Sequence, residues 1–206
     1  VYSTFILNQH IISRITDNTV KQVIIGLQSR NIMSAEKDSS DCSKKQTASH
    51  NLRNQEPILH MLRKYIPSDD KNQGPNVQVL EIGSGTGQHA EYMSKNMPNL
   101  KWIPTDYDES YRESVQEWTC NLPNVHDWIK LDASSPPEEW PFEPNNIDCV
   151  YNCNTIHIAP LIVCKGIMAG AANCLRDSGR LFLYGPYKIN GSHTAPSNQE
   201  FDLRLK

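Results

Sequence analysis

From residue 77 onward, short apolar runs alternate with segments of helical period. NVQVLEIG (76–83), LKWIPTD (100–106), VHDWIKLD (125–132), IDCVYNCNTI (147–156) and GRLFLYGPY (179–187) read as strands. Between them a helix is expected near 88–96, a second over SYRESVQEWTCNL (110–122) and a third over LIVCKGIMAGAANCLR (161–176). Strands alternating with helices predict an α/β fold with a parallel sheet and right-handed crossovers. Ahead of the first strand, NQEPILHMLRKYI (54–66) places Ile58, Leu59, Leu62 and Ile66 at helical spacing, with Pro57 expected in the first turn. Pro67 and the polar run SDDKNQGP stop that helix.

The beginning of the chain has a different texture. Residues 1–32 start without methionine and hold two apolar clusters, Phe5 to Ile15 and Val20 to Leu27. Arg14, Lys21 and Arg30 face a single acid, Asp17. Such a balance faintly suits an organelle transit peptide, which would make the protein mitochondrial, but strong Arg and Ser enrichment is missing. The preferred expectation is an extension outside the domain, with a natural start at Met33, followed by a disordered linker SAEKDSSDCSKKQTASHN (34–51). The expected organisation is therefore 1–50 as extension and linker, and 51–206 as one domain.

Composition narrows the class. At 206 residues, 38 % hydrophobic and 21 % charged, the chain is an ordinary globular one long enough for a core. A net charge of −3 argues against a general nucleic-acid binder. No run of 18 apolar residues exists, so no membrane span is expected. Six cysteines without a CxxC pair are too sparse for a disulfide scaffold. Cys149, Cys153 and His157 are spaced by four, but on a strand that separates them too far for one zinc ion. Small buried thiols in a reducing, cytoplasmic setting, with no metal, are the expectation.

The chemistry gathers at the carboxyl ends of the strands. Glu81-Ile82-Gly83-Ser84-Gly85-Thr86-Gly87 runs from a strand through three glycines into a helix. Ligands of open α/β sheets lie in such a crevice. The nicotinamide fingerprint GxGxxG fails, because its third glycine would fall at Gln88, and a P-loop ending is absent. ExGxGxG instead resembles motif I of class I S-adenosylmethionine methyltransferases. Asp106 ends the second strand, 19 residues beyond Gly87, where an acid suits ribose hydroxyls; the alternative is an N-cap or solvated acid, and Asp108 is the better N-cap. Asp132 ends the third strand, where the methyltransferase fold places an acceptor for the adenine amino group; it is equally a common turn former. The fourth strand ends in Asn154 and His157, with no [DNS]PP[YFW] tetrad of the kind shared by base-amino methylating enzymes. His157 suits a general base; a satisfied buried histidine or a shape-forming wall are its alternatives. Tyr184-Gly185-Pro186-Tyr187 and His193-Thr194-Ala195-Pro196-Ser197-Asn198 read as a loop, expected to carry the acceptor.

The set ArgAsn…ProIleLeu (53–59), LEIGSGTGQHA (80–90), TDYDES (105–110), IHIAP (156–160), LYGPY (183–187) and HTAPSN…FD (193–202) resembles the methyltransferase-like protein 26 family. The resemblance covers roughly 53–206. It implies a Rossmann-like class I methyltransferase three-layer sandwich, with S-adenosylmethionine across Gly83, Gly85, Gly87, Asp106 and Asp132. It places Arg53 and Asn54 near the donor's carboxylate. Glu81 would orient the loop or the donor's amino group, and Asn154 would stand next to the methyl donor. His157, Tyr187 and His193, with Asn198, are the groups expected to meet an acceptor, a small molecule or a protein. A non-catalytic S-adenosylmethionine-binding partner module and a nucleotide-linked oxidoreductase are the rival readings. Class I methyltransferases continue past the fifth strand with a helix and a hairpin, and 19 residues after Tyr187 are too few for both. The last strands are therefore expected to be missing, leaving an exposed sheet edge.

Overall fold

The structure is a computed structural model that describes residues 3–8, 12, 44–66, 77–189, 191–193 and 195–204. The expected stop over 67–75, the start at Met33 and most of the expected linker lie outside the described residues. The fold is mixed α/β, with a six-stranded sheet. Its contacts divide the chain into two compact units, Ser34–Leu131 and Val1–Met33 with Asp132–Lys206.

The first of these units carries the glycine loop. Helix α1, Ser49–Tyr65, buries Ile58, Leu59 and Leu62 on one face, as their spacing requires. It begins five residues before the expected point, so Pro57 sits in the helix interior rather than its first turn. An interior proline removes one helical hydrogen bond. Bonds outside the helix offset this loss: Asn51 donates to Thr86, and Arg63 to the Asn96 carbonyl. Strands β2, Val77–Ile82, and β3, Leu100–Asp106, pair in parallel, in register from Val77–Leu100 to Ile82–Thr105. Helix α2, Gln88–Asn96, connects them, and α3, Arg112–Thr119, follows β3. The expected third strand over 125–132 shrinks to a bridge between Val125 and Trp102 and a short β4, Ile129–Lys130, beside Thr105 and Asp106.

In the other unit, β5, Ile147–Cys153, and β6, Leu175–Gly185, are parallel and joined by α4, Leu161–Cys174. Cys149, Cys153, Cys164 and Cys174 are buried thiols outside any disulfide, as small apolar residues are buried. Two expectations fail here. Residues Ser3–Asn8, read as part of an extension, form strand β1, antiparallel to β6 from Ser3–Gly185 to Asn8–Arg180. The edge of β6 expected to lie open is therefore paired. An apolar run such as Phe5-Ile6-Leu7 satisfies its backbone on an available edge, which an unpaired strand would leave exposed. The stretch read as a loop also acquires structure: β7, Lys188–Ile189, and β8, Ser192–His193, make a separate hairpin, and α5 spans Pro196–Arg204. Pro196 opens that helix, a position where its missing N–H costs nothing.

A buried carboxyl lies in the first unit. The Glu81 carboxyl, 1 % exposed, accepts from Trp102 Nε1 at 2.7 Å, tying β2 to β3 through side chains. Burial pushes the carboxyl up to about 8, against the Trp102 bond, which favours the ionised form.

Two outcomes follow from these contacts. Deleting residues 1–12 uncovers the β6 edge. The variant should melt lower, with each lost kcal/mol worth about 2–4 °C at this size, and should self-associate with concentration in sedimentation runs. An unchanged midpoint and a monomer throughout would overturn the edge-covering role of β1. For Glu81, the folded chain keeps a proton that the unfolded chain loses above pH 4.5. The stabilisation is complete below that value and is lost as pH rises through about 8, at up to about 1.4 kcal/mol per pH unit. Glu81→Gln is neutral at every pH and still accepts from Trp102. Its melting curve should meet the parent's at acid pH and rise above it towards pH 8; parallel pH profiles would contradict a protonated Glu81.

Candidate functional site

The loop after β2 is built by three residues with left-handed backbone: Gly83 at φ 76°, Gly85 at 50° and Gly87 at 91°. Gly87 has a second reason to be glycine, since a Cβ there would stand 2.7 Å from the Val115 Cα. The loop is fastened to the end of β3. Gly83 N–H and Ser84 N–H both donate to the Thr105 carbonyl at 2.9 Å, and Gly85 N–H donates to Asp106 Oδ2 at 2.8 Å. Asp106 Oδ1 accepts from Asp108 N–H at 3.0 Å. Burial raises the Asp106 pKa above the ordinary carboxylate value, and the N–H groups of Asp108 and Gly85 oppose that rise. Asp108 caps the following turn through Ser110 N–H, as expected. The two acids expected near the loop thus differ: Glu81 is held inside by Trp102, and Asp106 faces the loop.

The loop continues into a polar cluster that sequence reasoning missed. Gln88 Oε1 accepts from Ala48 N–H at 2.6 Å and from Thr86 Oγ1 at 2.9 Å. Asn51 Nδ2 donates to Thr86 Oγ1 at 3.2 Å. Ser114 Oγ donates to the Thr86 carbonyl at 2.8 Å and accepts Gln46 N–H at 2.8 Å. Gln46 and Ala48, expected in a linker, therefore lie against α3 and α2, and Ser49 and His50 open α1. No spacing rule marks Gln46, Gln88 or Ser114, because each is an ordinary polar residue until the fold buries it. His89 is buried and its pKa pushed down to about 4 by desolvation, leaving a neutral imidazole bonded to the Asn51 main chain. In α1, Asn54 is buried and Arg53 is exposed.

The other unit holds the remaining expected residues. Asp132 is exposed, and its Oδ1 accepts from Ser134 N–H at 2.8 Å and Ser134 Oγ at 2.6 Å, so it forms a side-chain-capped turn. Asn154 follows β5 at φ 56°, its N–H bonded to the Tyr184 carbonyl at 2.9 Å. Its Oδ1 is buried without a partner among the described residues. His157 and Tyr187 converge on Gly185. A Cβ there would crowd the Tyr187 ring at 3.2 Å and make an ordinary contact with His157 Nδ1 at 3.5 Å, so both rings border Gly185 and the tyrosine is the one that its missing side chain admits. Tyr187 is 1 % exposed, not a loop side chain; burial, then the neighbouring Cys164 and Cys153 thiols, push its phenol far up, so it stays protonated. His193 sits in β8 opposite Lys188, and Asn198 is buried in α5. The structure thus brings His157 and Tyr187 together, and it groups Glu81, the three glycines and Asp106.

Known proteins can be set beside this geometry. The chain is 29 % identical over 116 residues to the compactin diketide synthase mlcB of Penicillium citrinum, covering 54 % of this chain and 4 % of that protein. It is 33 % identical over 100 residues to the highly reducing polyketide synthase easB of Emericella nidulans, covering 43 % of this chain and 4 % of that one. The chain thus spans a small fraction of the length of these relatives. Among solved structures it resembles the PH0226 protein of Pyrococcus horikoshii OT3, at TM-score 0.53 and 18 % identity, over 66 % of this chain and 58 % of that one. It also resembles the CurJ carbon methyltransferase, at TM-score 0.51 and 22 % identity, over 76 % of this chain and 38 % of that one. The DszA carbon methyltransferase matches at TM-score 0.51 and 20 % identity, over 66 % of this chain and 36 % of that one. These likenesses establish the Rossmann-like fold of the class I methyltransferases. Residues 45–206 match the model of the family described as "Protein of unknown function (DUF938)", and the chain belongs to that family.

Proposed function

We propose that this chain is an S-adenosylmethionine-dependent methyltransferase. The observation that carries the reading is the left-handed glycine loop bound through Gly85 N–H to the acid that ends the neighbouring strand. The residues fit such a donor. Nothing stands within 4 Å of where a Gly85 side chain would be, so its α-carbon faces open space. Each oxygen of Asp106 accepts one loop or turn N–H and keeps lone pairs for two ribose hydroxyls. Asp132 Oδ1 is engaged in its turn, which leaves Oδ2 for an adenine amino group.

When bound, the donor supplies a methyl group on a positively charged sulfur. An acceptor lone pair forms the new bond to that methyl as the carbon–sulfur bond breaks, leaving S-adenosylhomocysteine. The chain's part is to bind and orient, which converts an encounter into a reaction within one complex. Gly83, Gly85, Gly87, Asp106 and Asp132 are assigned to the donor, with Arg53, Asn54 and Asn154 for its polar tail and Glu81 behind the loop. His157 is assigned the acceptor's proton, with Tyr187 as its buried neighbour and His193 on the adjoining hairpin.

The polyketide synthases among the relatives, and two fold neighbours titled carbon methyltransferases, favour a small-molecule acceptor. The motifs GQHA, HIAP and YGPY support kinship with the methyltransferase-like protein 26 family. The acidic balance speaks against a nucleic-acid acceptor. The five described cysteines are thiols outside any disulfide, which suits a cytoplasmic location. No described helix is long and apolar enough to cross a membrane.

Calorimetry with S-adenosylmethionine tests the donor assignment. Asp106→Ala should weaken binding about ten- to a hundred-fold, the worth of charge-assisted hydrogen bonds. Asp106→Asn, which retains an acceptor for Gly85 N–H, should lose less. His157→Ala should bind the donor as the parent does, yet transfer less deuterated methyl to extract components followed by mass spectrometry. Parent-like binding by Asp106→Ala would overturn the assignment.

A further inference from the structure

Residues 44–48 run beside α2 and α3 and are held there at Lys44, Lys45, Gln46 and Ala48. Lys44 pairs with Glu113 at 2.9 Å, and Lys45 lies over the Trp118 ring at 4.6 Å. Gln46 donates through its main chain to Ser114 Oγ and through its side chain to the Ser110 carbonyl, and its own carbonyl accepts from Trp118 Nε1 at 2.9 Å. Ala48 N–H reaches Gln88 Oε1. Two of these anchors, Ser114 and Gln88, are also the hydrogen-bond partners of Thr86, the residue between Gly85 and Gly87. Ser114 is 0 %, Thr86 3 % and Gln88 3 % exposed, so these bonds are shielded from water. Ser84 Oγ and Gln88 Nε2, on the same loop and its first helical residue, are buried without partners among the described residues.

We propose that the 44–48 segment is a positioning strap for the glycine loop, coupled to occupancy of the donor site through Ser114 and Gln88. The inference rests on the methyltransferase reading. A loop of three left-handed residues has many alternative conformations, and of the three side chains that bond Thr86, Asn51, Gln88 and Ser114, the last two are bonded by the strap itself. When the strap is docked, Ser114 Oγ has its acceptor role filled by Gln46 N–H and its hydrogen directed to the Thr86 carbonyl. When it is released, both Ser114 and Gln88 lose a main-chain donor and their orientations are no longer fixed. A ligand that binds the ordered loop must then favour the docked strap by the same factor, because coupling between two binding events is reciprocal.

The test uses the full chain and S-adenosylmethionine itself. Hydrogen exchange at residues 44–50 is measured with and without the ligand, alongside calorimetry on the parent, Ser114→Ala and Lys44→Ala/Lys45→Ala. The two lysines are exposed and hold the strap to Glu113 and Trp118 of α3, so the double variant loosens the strap while leaving Ser114 and Gln88 in place. The expected result is that the ligand slows exchange across 44–50. Ser114→Ala should lose affinity about five-fold or more, the lower range for coupled sites, and the ligand should no longer protect the strap. The lysine variant should lose affinity in the same direction, with exchange at Ile58, Leu59 and Leu62 unchanged in both, a result that a purely structural defect would not give. Parent-like affinity in both variants, with ligand-independent exchange at 44–50, would overturn the strap while leaving the donor assignment standing. Absence of binding to the parent would remove both.

Discussion

The loop between β2 and α2 exists in its present form because it is hydrogen-bonded to the last two residues of β3. Three left-handed residues in five would otherwise be a region of high conformational freedom. The Thr105 carbonyl takes two consecutive N–H groups and Asp106 takes a third. That fastening depends in turn on the parallel register of β2 and β3, which brings Ile82 level with Thr105. A slip of one residue would carry Asp106 away from Gly85 and turn the strand's side chains to the other face. The direction of α2, the contact of Gly87 with Val115 and the cluster around Thr86 all follow from this one alignment.

Glu81 and Asp106 show how the same alignment makes two acids different. They stand on neighbouring strands, and the charge of Asp106 adds to the rise at Glu81. Glu81 points into the core, where a single indole N–H meets it and desolvation dominates. Asp106 lies at the strand end, with main-chain N–H groups from Gly85 and Asp108 to favour its charge. A motif names both positions as acidic. Burial raises both, and the main-chain N–H groups that only Asp106 meets are what separate them, which no spacing of letters encodes.

The parts legible in the sequence are those where one local rule decides the outcome. Continuous apolar runs gave β2, β3 and β5, glycine spacing gave the loop, and α2 falls on the expected 88–96. The parts that were not legible depend on partners far away in the chain. Ser3–Asn8 is a strand because β6 offers it an edge some 170 residues later, a pairing that hydrophobic pattern alone cannot locate. Residues 44–48 are polar and would be a linker in isolation; their order comes from Ser114, Gln88 and Trp118. Pro57 marks a helix start in most sequences, yet α1 begins at Ser49 because tertiary contacts hold the turns ahead of it. Pro196 to Asn198 reads as part of a loop on composition and is instead the start of α5.

Burial also ranks side chains that sequence reasoning weighs equally. His157, Tyr187 and His193 all follow strand ends and all carry groups able to exchange a proton. Tyr187 is enclosed against the thiols of Cys153 and Cys164, and its phenol is held protonated far above neutrality. It can shape the surroundings of a neighbour and donate a hydrogen bond, but it cannot serve as a base near pH 7. His193 sits in a two-residue strand of a separate hairpin, half-buried rather than enclosed. His157 is the enclosed member, held in the turn before α4 with its ring against the bare α-carbon of Gly185. Imidazoles are the side chains that ordinarily exchange protons near neutrality. In the proposed reaction, the acceptor's proton therefore falls to His157, and Gly185, which no motif rule singles out, is what allows Tyr187 to stand beside it.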